Sequence, residues 1–415
     1  MAVNEGREAP PTARSSRAAT ATLFVLALTA GAALGGCGTT KPDSEGTRPA
    51  TTADRAATQE TSTTLVAEGQ RVFRFDTFGD EQLWTDTLRL HEVVERSVDP
   101  TTALKVGLKV DADVLPAGIL EKVDLKSPAT TIALLKMNAV VGLQATVDSD
   151  NHIVRLGVTC ALCHSTVDDS VMPGIGHRKD GWPNRDLNVG AIIALSPALS
   201  ADKKAVYASW GPGKYDPRYN LDGMNTPLAI PPAYGLAEVK NETYTAEGPI
   251  SYWNAYVAVT QMGGQGNFSD PRLKIDVKHS PDMVSSKLPA LRAYQHSLPA
   301  PPASAGSFDV AAAARGRALF DGACASCHVG GSGTDNNNGT LHAPGETGVD
   351  GAYAARTASK AYRTTPLRAL WQHPPYFHDG GAATLADVVA HYNRVRALGL
   401  AGEQQRDLVE YLKSL

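Results

Sequence analysis

Cys160-Ala161-Leu162-Cys163-His164 and Cys324-Ala325-Ser326-Cys327-His328 are two copies of one five-residue pattern, and their reading decides the fold. Two thiols three positions apart on a single helical turn can reach the two vinyl groups along one porphyrin edge. The histidine that follows directly then lies beneath the ring with its imidazole aimed at iron. A Cys-x-x-Cys alone would equally suit a redox dithiol or half of a zinc site. The adjacent histidine, the duplication and the export signal at the N-terminus argue against both. The expected cofactors are therefore two covalently bound haem c, with His164 and His328 as iron ligands.

The chain has 415 residues, 39 Lys plus Arg against 43 Asp plus Glu, and a formal net charge of -4. No basic stripe is present to meet a phosphate backbone, so nucleic acid is not an expected partner. Arg7, Arg14 and Arg17 precede an apolar run from Ala21 to Gly36, which fits a signal-peptide core better than a bilayer span of roughly 20 residues. Leu34-Gly35-Gly36-Cys37 resembles a bacterial lipobox, making Cys37 the expected lipidation site; the plainer alternative is a signal peptide cleaved nearby, with Cys37 incidental. Two haem attachments and one lipid would account for all 5 cysteines. The expected location is the periplasm or the outer membrane face, with lipid as the sole membrane attachment.

Composition divides the rest. Residues 1–36 read as signal peptide and 37–66 as a flexible tether of Thr, Ala, Pro and charge that cannot bury enough apolar surface to order itself. Residues 67–155 form an N-terminal extension expected to pack on the haem domains. Within it, Ser127 and Pro128 start a helix whose buried face is Ile132, Leu134, Leu135, Met137 and Val140. A hairpin turning at Asp148–Asn151 then leads to the first attachment site. Residues 156–300 read as a first cytochrome c domain, with a helical segment at 282–298. Residues 301–308 are a Pro/Ala/Ser linker, and 309–415 a second cytochrome c domain framed by helices over 308–320 and 402–415. The fold class expected is mainly α, with two c-type cytochrome domains and an N-terminal extension after a disordered lipoprotein tether.

Each iron has a second face to fill. Beyond His328 there is no methionine, which leaves His342, His373, His378, His391, Tyr392 or an open face for the second haem. Without a thioether, a lower potential and access for an exogenous ligand are expected. In the first domain His177 and Met224 lead, with Met262 behind them; a methionine beside a large apolar cofactor can also simply fill space.

The run Arg363-Thr364-Thr365-Pro366-Leu367-Arg368-Ala369-Leu370-Trp371-Gln372-His373-Pro374-Pro375-Tyr376-Phe377-His378-Asp379-Gly380, followed by Thr384-Leu385-Ala386-Asp387-Val388-Val389-Ala390-His391-Tyr392-Asn393, resembles the C-terminal domain of bacterial di-haem cytochrome c peroxidases and their MauG-like relatives. The likeness is strong over 309–415 and weaker over 156–300, where His177 and Asn225-Thr226-Pro227 look like the distal histidine and Asn-x-Pro segment of the first domain. Residues 67–155 show no such match. The resemblance implies peroxide chemistry at the first haem and electron entry from a donor protein at the second. The family's methionine ligand to the second iron falls at Tyr392, where MauG-like relatives also carry tyrosine. That makes Tyr392, or its neighbour His391, a candidate ligand.

Read without the resemblance, Trp371, Tyr376 and Phe377 offer aromatic surface to a porphyrin, Asp379 is placed to orient His378, and Thr384 caps the next helix. The oxygen-rich run Thr334–Gly339 could hold calcium between domains, as the peroxidase family does, but lacks the ligand order of a known calcium loop; a solvated loop is the expectation. Two functions compete. One is a peroxidase-like di-haem oxidoreductase, in which one haem relays electrons and the other meets a small oxidant or substrate such as hydrogen peroxide. The other is a non-catalytic di-haem electron carrier. Either would exchange electrons with a periplasmic or membrane-associated donor or acceptor.

Overall fold

The computed structural model describes residues 52–415; the expected signal peptide, Cys37 and the tether up to residue 51 lie outside the described residues. Helices predominate among the described residues, and their strands form only two-stranded ladders. The helices that frame the sites are α1 (Thr52–Phe75), α2 (Ala161–His164), α3 (Leu288–Ser297), α4 (Val310–Ala323), α5 (Leu385–Val395) and α6 (Gly402–Ser414). No helix among the described residues is long and apolar enough to cross a membrane.

Helix α1 begins inside the stretch read as tether, which corrects that reading for residues 52–66. The cause lies at its C-terminal end. Leu65, Val66, Gly69, Val72 and Phe73 recur at helical spacing, and Val72 and Phe73 are fully buried. Once that end is anchored, each further residue added toward the N-terminus gains a hydrogen bond without a new nucleation cost, even through the Thr- and Ala-rich sequence there. Gly69 sits where α1 meets α3, and a Cβ there would overlap the Ala290 carbonyl. Phe73 meets Tyr294 of α3 edge to face at 5.5 Å.

The expected helix start at Pro128 is present as the helix Pro128–Lys136, with Ile132, Leu134 and Leu135 buried. The hairpin is present as β1 (Leu143–Val147) paired antiparallel with β2 (Ile153–Val158). Its turn is built by Asp148, whose Oδ1 accepts from the N–H groups of Asp150 and His152, each at 2.9 Å. A single apolar core then runs from Val72 through Leu135, Val158 and Leu187 to Tyr294. Residues on both sides of the boundary expected at 155 therefore share one interior.

The C-terminal part has its own smaller core of Phe320, Leu370, Leu385, Val389, Leu408 and Leu412. Helices α4 and α6 cross at Gly316, where a Cβ would overlap the Asp407 carbonyl. Beside that crossing Arg315 grips Asp407 at 2.6 and 2.8 Å. Helix α5 starts on Thr384, whose Oγ1 accepts from Asp387 N–H while Asp387 accepts from Thr384 N–H at 2.9 Å. That reciprocal pair is the cap expected from the sequence.

Three arginines of the C-terminal part hold it to the rest. Arg356 reaches Asp216 and Asp222 at 2.8 Å each, and the side chains of Arg356 and Asp216 are almost wholly buried. Arg363 donates to the carbonyls of Glu242 and Thr243. Arg368 donates to the Gly235 carbonyl and to Glu238. The Thr334–Gly339 run belongs to the same seam and is not the solvated loop expected. Thr334, Asp335 and Asn336 are buried, Asn336 pairs with Asn241, and Asn337 with Lys240 and Glu238. Asn337 thus bonds the backbone of Glu238 and Lys240, and Asn336 the side chain of Asn241.

Candidate haem centre

The second cysteine pair begins where α4 stops. Cys324 caps the helix with its N–H on the Phe320 carbonyl at 2.8 Å, and His328 N–H returns to the Cys324 carbonyl at 3.1 Å. This turn gathers both thiols and the imidazole. His328 Nδ1 lies 3.2 Å from the Gly333 carbonyl, so Nδ1 carries the proton and Nε2 is left for a metal. Burial lowers the His328 pKa, which favours the neutral, ligating form.

Above this turn opens a cavity of about 280 Å³ lined by Cys324, Cys327 and His328. Leu370, Leu385, Val389 and Leu412 wall it from the C-terminal part, and Pro231, Tyr234 and Tyr244 from the first part. Arg185, also on the wall, keeps Nε and Nη1 buried without partners. Apolar walls, paired thiols, an oriented imidazole and an unsatisfied cation fit a porphyrin with anionic edge groups.

No methionine lines this cavity; imidazoles and phenols do. His378 is buried, and its Nε2 lies 2.9 Å from the Tyr362 hydroxyl, with the two rings stacked at 4.3 Å. The Tyr362 hydroxyl also donates to the Asp350 carbonyl at 2.9 Å and accepts from Ala354 N–H. Tyr362, not Asp379, is thus the hydrogen-bond partner of His378; Asp379 accepts from Gly381 N–H and shapes the turn. Nothing in the sequence marks Tyr362, because it lies 16 residues upstream. Phe377 adopts a left-handed backbone (φ 66), and its ring meets His391 at a tilt and Tyr392 edge to face.

Tyr392 lies on the cavity wall, its pKa raised by burial and by the nearby thiols of Cys324 and Cys327. His391 is not on that wall, and its Nε2 bonds the Thr347 carbonyl at 2.8 Å. His373 lines the cavity, with burial lowering its pKa to about 4. His342 is held between Asp335 at 2.9 Å and Glu346 at 3.1 Å, which keeps its nitrogens occupied.

The first pair sits at the start of α2, delivered there by β2. His164 Nδ1 lies 3.1 Å from the Pro231 carbonyl, so its Nε2 too is the nitrogen left over. Burial holds the His164 pKa down to about 4 and pushes the Cys160 and Cys163 thiols up to about 12. The donor set and the orientation of its imidazole repeat those of the second pair. Tyr215, beside Cys163, bonds Gln261 at 3.1 Å, and the adjacent Met262 is buried. Met224 is 49% exposed. His177 is also out in solvent, with Nδ1 2.6 Å from Asp113, which raises its pKa. Met262 belongs to the buried core against which Cys160 and Cys163 pack, whereas Met224 and His177 are exposed.

The two sites adjoin. Pro231, which fixes His164, is itself on the wall of the second cavity. Gly181 and Asn184 N–H groups bond the His164 and Cys163 carbonyls at 2.8 and 2.9 Å, and the loop they anchor carries Trp182 and Arg185. Trp182 meets Trp371 edge to face at 5.7 Å.

Among curated proteins none matches the chain. Two solved structures are partial likenesses, each at 21% identity and a TM-score of 0.33 over 46% of this chain. One is Kuenenia stuttgartiensis hydrazine synthase pressurised with 20 bar xenon, covered over 73% of its length. The other is a MauG-like protein associated with microbial copper homeostasis, covered over 74%. Residues 313–415 match the cytochrome c family, and this part of the chain is accordingly a cytochrome c domain, with the covalently bound haem c and haem-based redox function that such a domain implies.

Proposed function

We propose that the chain is a di-haem c-type cytochrome oxidoreductase of peroxidase-like character, exported to the periplasm and anchored there by lipid on Cys37. The observation that carries this reading is the cavity over His328, whose wall holds His373, His378 and Tyr392 but no methionine. A haem held by Cys324, Cys327 and His328 would supply redox-active iron. The chain supplies the rest. His328, locked by Gly333, presents Nε2 to the metal side. His378, with Nε2 tied to Tyr362, has Nδ1 as its remaining nitrogen, placed to take up or release a proton at a small oxidant such as hydrogen peroxide. Apolar walls from both parts of the chain limit water.

The repeated Nδ1-to-carbonyl arrangement at His164 supports a second haem, which would exchange electrons with a periplasmic or membrane-associated partner. Pro231, whose carbonyl is hydrogen-bonded to His164 Nδ1 and which itself lines the cavity, links that site to the cavity. A second reading, electron transfer without catalysis, is favoured by the buried arginine seam, which resists rearrangement between the two parts. Electron paramagnetic resonance of the oxidised and half-reduced protein separates them. The enzyme reading expects a high-spin or readily displaced haem and turnover of peroxide with a reduced donor. Two low-spin haems in both states, without turnover, would sink it.

A further inference from the structure

Four arginines reach the cavity wall, and three are satisfied by protein groups. Arg363 donates from Nε, Nη1 and Nη2 to the carbonyls of Thr243, Thr364 and Glu242. Arg368 is held by Gly235, Gly331 and Glu238, and Arg396 by the Glu346 carbonyl. Arg185 differs. Its Nη2 donates to the His373 carbonyl at 3.1 Å, while Nε and Nη1 are buried and make no hydrogen bond. The titratable groups around it are the phenols of Tyr244, Tyr234 and Tyr376, each pushed upward by burial, and the His373 imidazole, pushed down to about 4 by burial and by Arg185 itself, so all four are neutral at pH 7. Glu242 is also on the wall, but burial raises its pKa and its nearer partner is His296.

An unpaired buried guanidinium is costly, because several kcal/mol of hydration are lost with nothing in return. The site is complete only when an anion occupies the cavity next to Arg185. A haem bonded through Cys324 and Cys327 brings two carboxylates as its only charged edge groups. We infer that Arg185, supplied by the first part of the chain, binds a propionate of the haem attached to the C-terminal part. That haem is then held covalently by one part and ionically by the other. The Arg185 loop is anchored by Gly181 and Asn184 on the carbonyls of His164 and Cys163, so the same contact ties the second haem to the backbone of the first attachment site. This rests on haem being present at Cys324 and Cys327.

The test uses the full-length exported holoprotein and the variants R185Q and R185K, with potentials read by spectroelectrochemical titration and haem content by the denatured pyridine spectrum. Removing the cation leaves a propionate unpaired and favours the ferric state. One potential should therefore fall in R185Q while the other stays, and R185K should fall less. Should R185Q prove insoluble, the resonance Raman propionate bending band of R185K still reports the contact and should shift from wild type. Unchanged potentials and band at full haem content would overturn this inference alone. Loss of haem from Cys324 and Cys327 in the wild type would overturn the functional reading beneath it.

Discussion

Asp80 shows how strongly a single position can be set by its surroundings. It is fully buried beside β2, and burial pushes its carboxyl up to about 9, with the Val158 N–H only partly opposing. A carboxyl raised in the fold contributes stability that is complete below its unfolded value near 4 and is lost as pH rises through about 9. One proton of linkage costs up to about 1.4 kcal/mol per pH unit. Asp80→Asn should therefore flatten the fall in unfolding free energy between pH 5 and pH 9; parallel wild-type and variant profiles in urea melts would contradict this. At Tyr362 the hydroxyl serves His378, Ala354 and Asp350 together. Tyr362→Phe should cost about 1 to 3 kcal/mol and slow peroxide turnover, since His378 loses the bond that fixes its ring. A variant with wild-type turnover would remove His378 from proton handling. Tyr392→Phe tests one of the ligand candidates on the cavity wall, beside His373 and His378: a changed spectrum for one ferric haem is expected if the phenol coordinates, and an unchanged one excludes it.

Among elements, the helices were legible where apolar spacing and a cap agreed. Thr384 before Leu385, Ser127 and Pro128 before Ile132, and the Ala-rich run ending at Cys324 all mark helices in the structure. Helix α1 was hidden because its first turns carry no apolar stripe; their helicity depends on Val72 and Phe73 reaching α3, a contact over two hundred residues away in the chain. The Thr334–Gly339 run misled for a related reason, since Thr334, Asp335 and Asn336 are buried and Asn336 and Asn337 bond residues 238–241 from a distant part of the chain. Both attachment motifs could be read at once, whereas Arg185 and Tyr362 become visible only when the cavity wall is assembled from separate segments. The α4–α6 crossing yields an element-scale prediction. Gly316→Ala should destabilise the C-terminal part by about 1 to 3 kcal/mol through overpacking against the Asp407 carbonyl, measured by thermal melts of the haem absorbance; a neutral change would mean that the helices can separate freely.

Taken whole, the molecule places one attachment site against the wall of the other. Arg356, nearly wholly buried between Asp216 and Asp222, closes the seam. Arg356→Ala leaves buried carboxylate unpaired and should cost about 3 to 5 kcal/mol, with faster proteolysis in the exposed stretch at 301–308; unchanged cleavage would show that the seam does not hold the parts together. The whole account depends on both five-residue motifs carrying covalent haem. Its most direct measurement is the ratio of haem to polypeptide in the mature exported protein, taken from the alkaline pyridine spectrum and intact mass. Two haems per chain are expected, one lost in C160A/C163A and the other in C324A/C327A; a single haem, or none, in the wild-type protein would contradict attachment at both motifs.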